Sequence, residues 1–248
     1  MRGLRSRPGA RCTPTLTRPI LTHRAEQAAR FGAIAWIGSI QFFIAQGVVQ
    51  TAWSTPFSLK RNFISDLGNT VCGNYPQGSG NWVCSPWHAW MNASFILVGL
   101  TTLAGAALTR ESLGPGRLAQ WGMGMVAVAG LGFILVGMFP ENVSFPPHKL
   151  GAGLQFICGN FGQVLLGLAV LPSRRQHLMA RFSVGSGAMG LLATALLVSG
   201  HDLGIGIGGM ERLAAYPLPL WCIMMGLGTV LPAASMRGGN STGIATCG

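Results

Sequence analysis

The sequence predicts an all-α membrane protein in which a bundle of six helices crosses the bilayer. Charged residues make up only 9% of the 248 positions, against about 25% in a typical soluble domain. So little charge cannot cover a globule of this size with a polar surface. Glycine is abundant, with 37 copies, and small residues allow membrane helices to pack closely. Six apolar stretches also reach the roughly 20 residues that cross a bilayer as a helix.

The six predicted spans are separated by connections that carry the charged residues. The spans lie near Phe31–Val49, Ala89–Leu108, Leu118–Phe139, Gly151–Leu171, Phe182–Ser199 and Leu213–Ala234. No Lys or Arg falls inside these stretches, as expected of segments surrounded by hydrocarbon. We therefore predict three parts: a disordered basic tail over 1–30, a six-helix transmembrane domain over 31–234 and a short tail over 235–248.

The basic residues are distributed unequally between the two sides of the predicted bundle. Thirteen of the 17 lie in the tails and in the second and fourth connections, whereas four lie in the other three connections. Because Lys and Arg accumulate on the cytoplasmic side of membrane proteins, we expect both termini in the cytoplasm and the chain in the plasma membrane. Fifteen Arg against two Lys favour a bacterial host with a GC-rich genome.

Seven Arg precede the first span, and such a cluster is typical of either lipid or nucleic-acid contact. No aromatic side chain interleaves them, and an apolar stretch begins at Phe31. These features favour anionic lipid over nucleic acid, so membrane lipids are the predicted partners. An organelle transit peptide over residues 1–25, removed from the mature protein, is the alternative interpretation.

The first, third and fifth connections, which are predicted to face outward, hold most of the titratable side chains. Four of the six acidic residues and three of the five His lie there: Asp66, Glu141, Asp202, Glu211, His88, His148 and His201. A chain so poor in charge has concentrated these groups at one face. That face is therefore the first candidate for a functional site.

Ser65 and Asp66 form the sharpest local motif, within the stretch Ile64-Ser65-Asp66-Leu67-Gly68. Both side chains can accept backbone N–H groups, so a tight turn or a helix N-cap accounts for the motif without any chemistry. In the functional interpretation, partial burial at the membrane surface raises the pKa of Asp66 toward that of a general base.

His148 is the second candidate catalytic residue. Pro140 ends the third span just before Glu141, and Pro146-Pro147 hold the chain extended, so His148 begins the next helix at interface depth. A hydrogen-bonding role is the default for His there, with catalysis or ligation as the alternative.

Glu211 and Arg212 precede the last span, and Glu211 is the third catalytic candidate. Neighbouring residues point to different faces of a helix, so each is expected to find a partner elsewhere. Pairing of Arg212 with a distant carboxylate would give either a structural ion-pair network or a substrate clamp. We predict one cluster at the outer membrane surface, formed by Ser65, Asp66, Glu141, His148, Glu211 and Arg212.

Amide side chains occur inside two of the predicted spans. Asn92 lies about one turn into the second span, and Gln155 and Asn160 lie in the fourth. Amides in apolar helices usually hydrogen-bond across to neighbouring helices, which predicts packing contacts. Asn92 is also a candidate for lining the site.

Cys72 and Cys84 lie in the first outer connection, twelve positions apart. The outer side is oxidising, so we predict a disulfide, which stabilises a loop of this size by about 3 kcal/mol. The chain has neither a C-x-x-C pair nor two His at helical spacing, so we expect no metal and no cofactor. A metal or haem held by His88, His148 and His201 is the less favoured alternative.

The order of these motifs resembles an uncharacterised bacterial membrane family, the domain of unknown function 998. The resemblance covers about residues 31–234 and does not include the loop between the two cysteines. It rests on Ile64-Ser65-Asp66-Leu67-Gly68, Asn92, Gly137-Met138-Phe139-Pro140-Glu141, His148, Glu211-Arg212 and Trp221. The first of these elements also looks like one in the eukaryotic Frag1/DRAM/Sfk1 membrane proteins, a more distant similarity. Neither resemblance implies a reaction.

These observations leave enzyme and non-enzyme functions open. An enzyme would act on a lipid or lipid-linked group, with Asp66 as base and His148 as acid converging on an open cleft. A non-catalytic protein would organise lipid or a partner complex through the same face, with those groups consumed by mutual pairing. A transporter is less favoured, because no charged residue is predicted at mid-membrane depth.

Overall fold

A computed structural model of the protein describes residues 23–75, 80–113, 116–171 and 177–231. Most of the predicted N-terminal tail and all of the predicted C-terminal tail lie outside these ranges. Six helices of the described part are long and apolar enough to cross a membrane, which confirms the predicted fold class. They are His23–Gln50, His88–Thr109, Arg117–Met138, Phe145–Val170, His177–Val198 and Ile207–Val230.

Three of these spans are interrupted, so the six spans comprise nine α-helices in the described residues. In chain order the helices are α1 (His23–Ile37), α2 (Ile40–Gln50), α3 (His88–Thr109), α4 (Arg117–Met138), α5 (Phe145–Gly153), α6 (Gly159–Val170), α7 (His177–Val198), α8 (Ile207–Ala215) and α9 (Pro217–Val230). The first span is interrupted at Gly38–Ser39, the fourth by a π-helical turn over Leu154–Cys158, and the sixth at Tyr216. Residues 23–30 of the predicted tail are helical, because α1 begins at His23.

The first connection folds into a 3-10 helix and a β-hairpin. The 3-10 helix spans Ser65–Gly68. Strands β1 (Gly73–Tyr75) and β2 (Asn81–Val83) pair antiparallel, with Gly73 opposite Val83. The Cys72–Cys84 disulfide joins the residues just outside this pair, so the predicted disulfide is present and closes the base of the hairpin.

Glycines allow α3 and α4 to pack closely. A Cβ on Gly99 would overlap the Gly130 carbonyl oxygen, and a Cβ on Gly130 would lie 3.0 Å from the Gly99 carbonyl oxygen. Only glycine at both positions permits this approach. The aromatic core lies beside it, where Phe42 packs within 5.7 Å, centroid to centroid, of both Phe95 and Phe133.

The interruption of the sixth span is stabilised by amides from the fourth. Pro217 and Pro219 lack the N–H groups that would continue the helical hydrogen bonds. Gln155 Nε2 donates to the Ala215 carbonyl oxygen at 3.1 Å. Asn160 Nδ2 donates in the same way to Ala214 at 2.9 Å. Both amides thus make the interhelical contacts that the sequence predicted, and they do so where irregular backbone would otherwise be unsatisfied inside the membrane.

Candidate functional site

Three connections meet at one end of the bundle, which we call the cluster end: residues 51–87, 139–144 and 199–206. The 3-10 helix Ser65–Gly68 lies among them with all four residues buried. Five of the predicted site residues converge beside it and are themselves less than 9% exposed. These residues, which we call the carboxyl cluster, are Ser65, Asp66, Glu141, Glu211 and Arg212.

Close backbone contact brings α8 against the first connection. Gly206 has a φ of 82°, and a Cβ there would overlap the carbonyl group of Lys60. Glycine is therefore required for both the conformation and the space. Two residues later, the Gly208 N–H donates to the Lys60 carbonyl oxygen at 3.0 Å. This packing buries Glu211 and Arg212 beneath the loop.

Arg212 binds the backbone of the first connection. Its Nη1 donates to the carbonyl oxygens of Leu59, Asn62 and Gly208 at 3.1, 2.8 and 2.7 Å. The ring of Phe57 covers the guanidinium group, with its centroid 5.5 Å from Cζ, a cation–π contact. Arg212 therefore ties α8 to the segment that leads into the 3-10 helix.

Glu211 and Asp66 both accept backbone N–H groups at the start of the 3-10 helix. Glu211 Oε2 accepts from the N–H of Ile64. Asp66 Oδ2 accepts from the Phe63 N–H at 2.9 Å and from Asn62 Nδ2 at 3.1 Å. Carboxylates at a helix N-terminus satisfy donors that have no partner within the helix, so these residues perform the capping role that the Ser-Asp motif indicated.

Glu141 reaches the same 3-10 helix from the connection that follows α4. Ser65 Oγ donates to Glu141 Oε2 at 3.0 Å, and the Glu141 carboxyl group lies close enough to that of Asp66 for the two to interact electrostatically. Burial raises the pKa of Glu141 well above its ordinary value, and the neighbouring Asp66 charge raises it further. Burial also raises the pKa of Asp66, although its hydrogen bonds oppose that shift.

Asp66 is the better stabilised of the two as a carboxylate. It has three stabilising neighbours for its charge, the Asn62 amide, the Phe63 N–H and the Arg212 guanidinium. Glu141 has mainly Ser65. Neighbouring buried carboxylates repel each other, so the negative charge is less favourable on Glu141 than on Asp66.

Three buried polar atoms of the carboxyl cluster have no hydrogen-bond partner among the described residues. They are Glu141 Oε1 and, on Arg212, Nε and Nη2. The two Arg212 nitrogens leave positive charge beside the carboxyl pair, where it lowers the pKa of Asp66.

His148 and Asn92 lie at the cluster end, but each is occupied by a backbone group. His148 Nδ1 lies 2.9 Å from the Phe139 carbonyl oxygen at the end of α4. No hydrogen bond between His148 and the carboxyl cluster is found in the described residues. Asn92 Nδ2 donates to the Gly68 carbonyl oxygen at 2.9 Å. Asn92 thus holds the end of the 3-10 helix, and His148 holds the end of α4.

The other titratable residues of this end lie away from the carboxyl cluster. His201 and Asp202 are exposed, and Asp202 Oδ1 accepts the Gly204 N–H at 2.9 Å in a local turn. His88 Nδ1 lies 3.0 Å from the Ser85 carbonyl oxygen. The structure therefore does not bring the three outer His together, and no described group of three His, Cys, Asp or Glu is arranged to hold a metal ion.

Three residues that the sequence analysis did not select complete the site. Asn62 supports Asp66 as described above. Asn142 joins two connections, because its Oδ1 accepts the Thr70 N–H at 3.2 Å and its Nδ2 donates to Thr70 Oγ1 at 3.0 Å. Tyr75 donates from its hydroxyl to the Glu141 carbonyl oxygen at 3.1 Å. Burial and the nearby carboxylates raise the Tyr75 pKa to about 12, which keeps this donor protonated.

Comparison with known proteins connects the chain to one family. A family model described as a protein of unknown function (DUF998) matches residues 36–228, which include the whole carboxyl cluster, four complete spans and most of the other two. No curated protein and no solved structure matches the chain.

Proposed function

The chain belongs to the DUF998 family of proteins of unknown function, and on that premise we propose that it is a non-catalytic organiser of a bacterial plasma membrane. In this proposal both termini lie in the cytoplasm and the cluster end faces outward. The carboxyl cluster fixes the outer connections in one arrangement, and the resulting surface binds membrane lipids. The observation that supports this function is the use of the cluster's polar groups in contacts with one another and with the backbone.

The contacts of the cluster favour a structural role because they join segments that are distant in the chain. Glu211 binds the first connection from α8, and Glu141 binds it from the connection after α4. Asp66 is only 3% exposed and Glu141 only 7%, so a substrate has little access to either carboxyl group. A buried polar group without its partner costs about 1–3 kcal/mol, so each contact stabilises this arrangement over others.

The exposed surface of the cluster end is suited to lipid contact. Trp82 on the hairpin and Trp87 and Trp90 at the start of α3 are 50, 44 and 71% exposed. Trp side chains favour the membrane–water boundary, since the ring is apolar and its N–H is polar. A fixed outer face therefore presents three aromatic rings at headgroup depth.

The proposal is tested by lipid analysis of a strain that lacks the gene, followed by complementation. We expect an altered lipid composition or lateral distribution in the deletion strain. Asp66→Asn and Glu141→Gln should restore the wild-type state, because both amides keep the size and most hydrogen bonds of the carboxyl groups. Asp202→Asn, in an exposed turn, is the matched control.

A second candidate function is an outer-leaflet enzyme that acts on a lipid or lipid-linked group. Two features favour it: the raised pKa values of Asp66 and Glu141, and the buried Arg212 nitrogens that have no hydrogen-bond acceptor among the described residues. A carboxyl group of raised pKa suits general acid and base catalysis, and a guanidinium group suits a phosphate. The carboxyl cluster would have to open to admit the substrate.

The same complementation experiment separates the two functions. An enzyme that depends on Asp66 as base loses its activity in Asp66→Asn while the protein accumulates at the wild-type level. That result would contradict the organiser. Full complementation by Asp66→Asn and Glu141→Gln together would contradict the enzyme.

A further inference from the structure

A groove of about 810 Å³ lies between α3 and α4 at the end of the bundle opposite the cluster end. Its walls come from the last two turns of α3 and the first three turns of α4. The polar lining residues lie nearest the connection between the two helices. The lining includes Arg110, Arg117, Gln120, Trp121 and Gly124 together with apolar side chains of both helices, among them Leu103.

The groove exists because α3 and α4 turn to different neighbours beyond their close contact. Past the Gly99–Gly130 contact, Gly105 of α3 packs against the ring of Trp36 in α1. Gly122 of α4 instead packs against the backbone of α6. The groove occupies the space between the two helices. At Gly124, which lines its floor, an added Cβ would meet no atom within 4 Å.

We propose that this groove binds an anionic phospholipid of the leaflet at that end. The lipid phosphate lies between Arg110 and Arg117, and one acyl chain lies along the apolar floor past Gly124. The argument rests on charge complementarity: both Arg line the groove, and both are exposed. Guanidinium groups bind phosphate through paired N–H donors, so the headgroup is held by geometry as well as by charge.

The remaining lining residues match the other parts of a phospholipid. Trp121 is 67% exposed, and its position in the first turns of α4 is at interface depth. Gln120 is exposed beside it and can hydrogen-bond to glycerol or ester oxygens. Glu111 follows Arg110 directly and reduces the local charge, but the two Arg leave the groove net positive.

The test uses the full chain in phosphatidylcholine nanodiscs that carry a minor amount of photo-cross-linkable lipid. The probe is phosphatidylglycerol in one arm and phosphatidylcholine in the other, with cross-linked peptides mapped by mass spectrometry. We expect the phosphatidylglycerol probe to label the α3 and α4 groove residues preferentially. Arg110→Gln and Arg117→Gln should each lower that preference about fivefold, as expected for one basic residue at a membrane surface.

One further test variant, Gly124→Phe, and two matched control variants, Arg181→Gln and Gly185→Phe, complete the experiment. Arg181→Gln removes an exposed charge from the N-terminal part of α7 and should leave groove labelling unchanged. Gly124→Phe should fill the groove and abolish labelling by the phosphatidylglycerol probe. Gly185→Phe, at another helical glycine with open space around it, should not. Equal labelling of the groove by both lipid probes would overturn the proposal. So would a loss of phosphatidylglycerol preference in Arg181→Gln as large as the loss in Arg110→Gln or Arg117→Gln.

Discussion

At the residue scale, Glu141 is the side chain whose environment least supports a negative charge. It is 7% exposed, and its burial and the nearby charge of Asp66 both raise its pKa. Arg212 supplies charge to the cluster, but its described hydrogen bonds all go to backbone carbonyl oxygens.

The raised pKa values of Glu141 and Asp66 predict how stability depends on pH. The folded-state pKa of Glu141 is raised well above 4.5, and that of Asp66 is also raised. The folded state therefore binds protons more tightly than the unfolded state, so stability is greatest at low pH and falls as pH rises through the folded pKa values. Thermal unfolding in nanodiscs should show a midpoint that decreases from about pH 5 upward.

Glu141→Gln should flatten this dependence, because glutamine is neutral at every pH and can still accept from Ser65. Asp202→Asn, outside the carboxyl cluster, should keep the wild-type slope. A midpoint that rises with pH in the wild type would mean that both carboxyl groups are ionised in the folded state.

At the scale of secondary-structure elements, the interrupted helices depend on side chains from other helices. Asn160 donates to the carbonyl oxygens of Phe156 and Ala214, at 2.7 and 2.9 Å, and accepts from Gln163. Its neighbour Gly190 leaves room for the amide, since a Cβ there would overlap it. Asn160 therefore stabilises the break between α8 and α9 together with Gln155.

Replacing Asn160 by Leu should destabilise the protein by about 1–2 kcal/mol, because buried backbone carbonyl oxygens lose their donor inside the membrane. The measurement is the free energy of unfolding in mixed micelles. Gln120→Leu, which changes an exposed amide on α4, should have no comparable effect. Equal stability of the Asn160 variant would show that the break between α8 and α9 does not need the donor from Asn160.

At the scale of the whole molecule, the number and order of the spans could be predicted, whereas four of their starting points could not. Hydropathy identifies apolar segments, but it misses the polar first turns with which these helices begin. The helix of the first span begins at His23 rather than Phe31 and that of the fourth at Phe145 rather than Gly151. The fifth begins at His177 rather than Phe182, and the sixth at Ile207 rather than Leu213. In the sixth span, Glu211 and Arg212 are helical because loop carbonyl and N–H groups compensate their burial.

The sequence predicted which residues form the candidate site, but not which groups each of them contacts. Composition and position selected the five residues of the carboxyl cluster, because polar side chains are conspicuous in so apolar a chain. Their partners were not predictable: Ser65 binds Glu141 across 76 positions, and Ile64 binds Glu211 across 147. Helix packing alone sets those distances. His148 was grouped with the cluster for its depth, but its ring is directed to the Phe139 carbonyl oxygen.

The orientation of the bundle remains a prediction from the distribution of basic residues. A reporter enzyme that is active only outside the cytoplasm should function when inserted within residues 139–144 and should be inactive when fused to the C-terminus. A cytoplasmic reporter should give the converse result at both sites. The opposite pattern would place the carboxyl cluster in the cytoplasm and reverse the proposed topology.

Hydrogen–deuterium exchange can show whether the carboxyl cluster holds the three connections as one unit. In Glu211→Ala, exchange should increase at the amides of 59–68, which lose the Glu211 acceptor, and also at 139–144, which Glu211 does not touch by any described hydrogen bond. Asp202→Ala, in the same region of the chain, should change only its own turn. Increased exchange confined to 207–215 and Ile64 would contradict the account, because the connections would then be held independently.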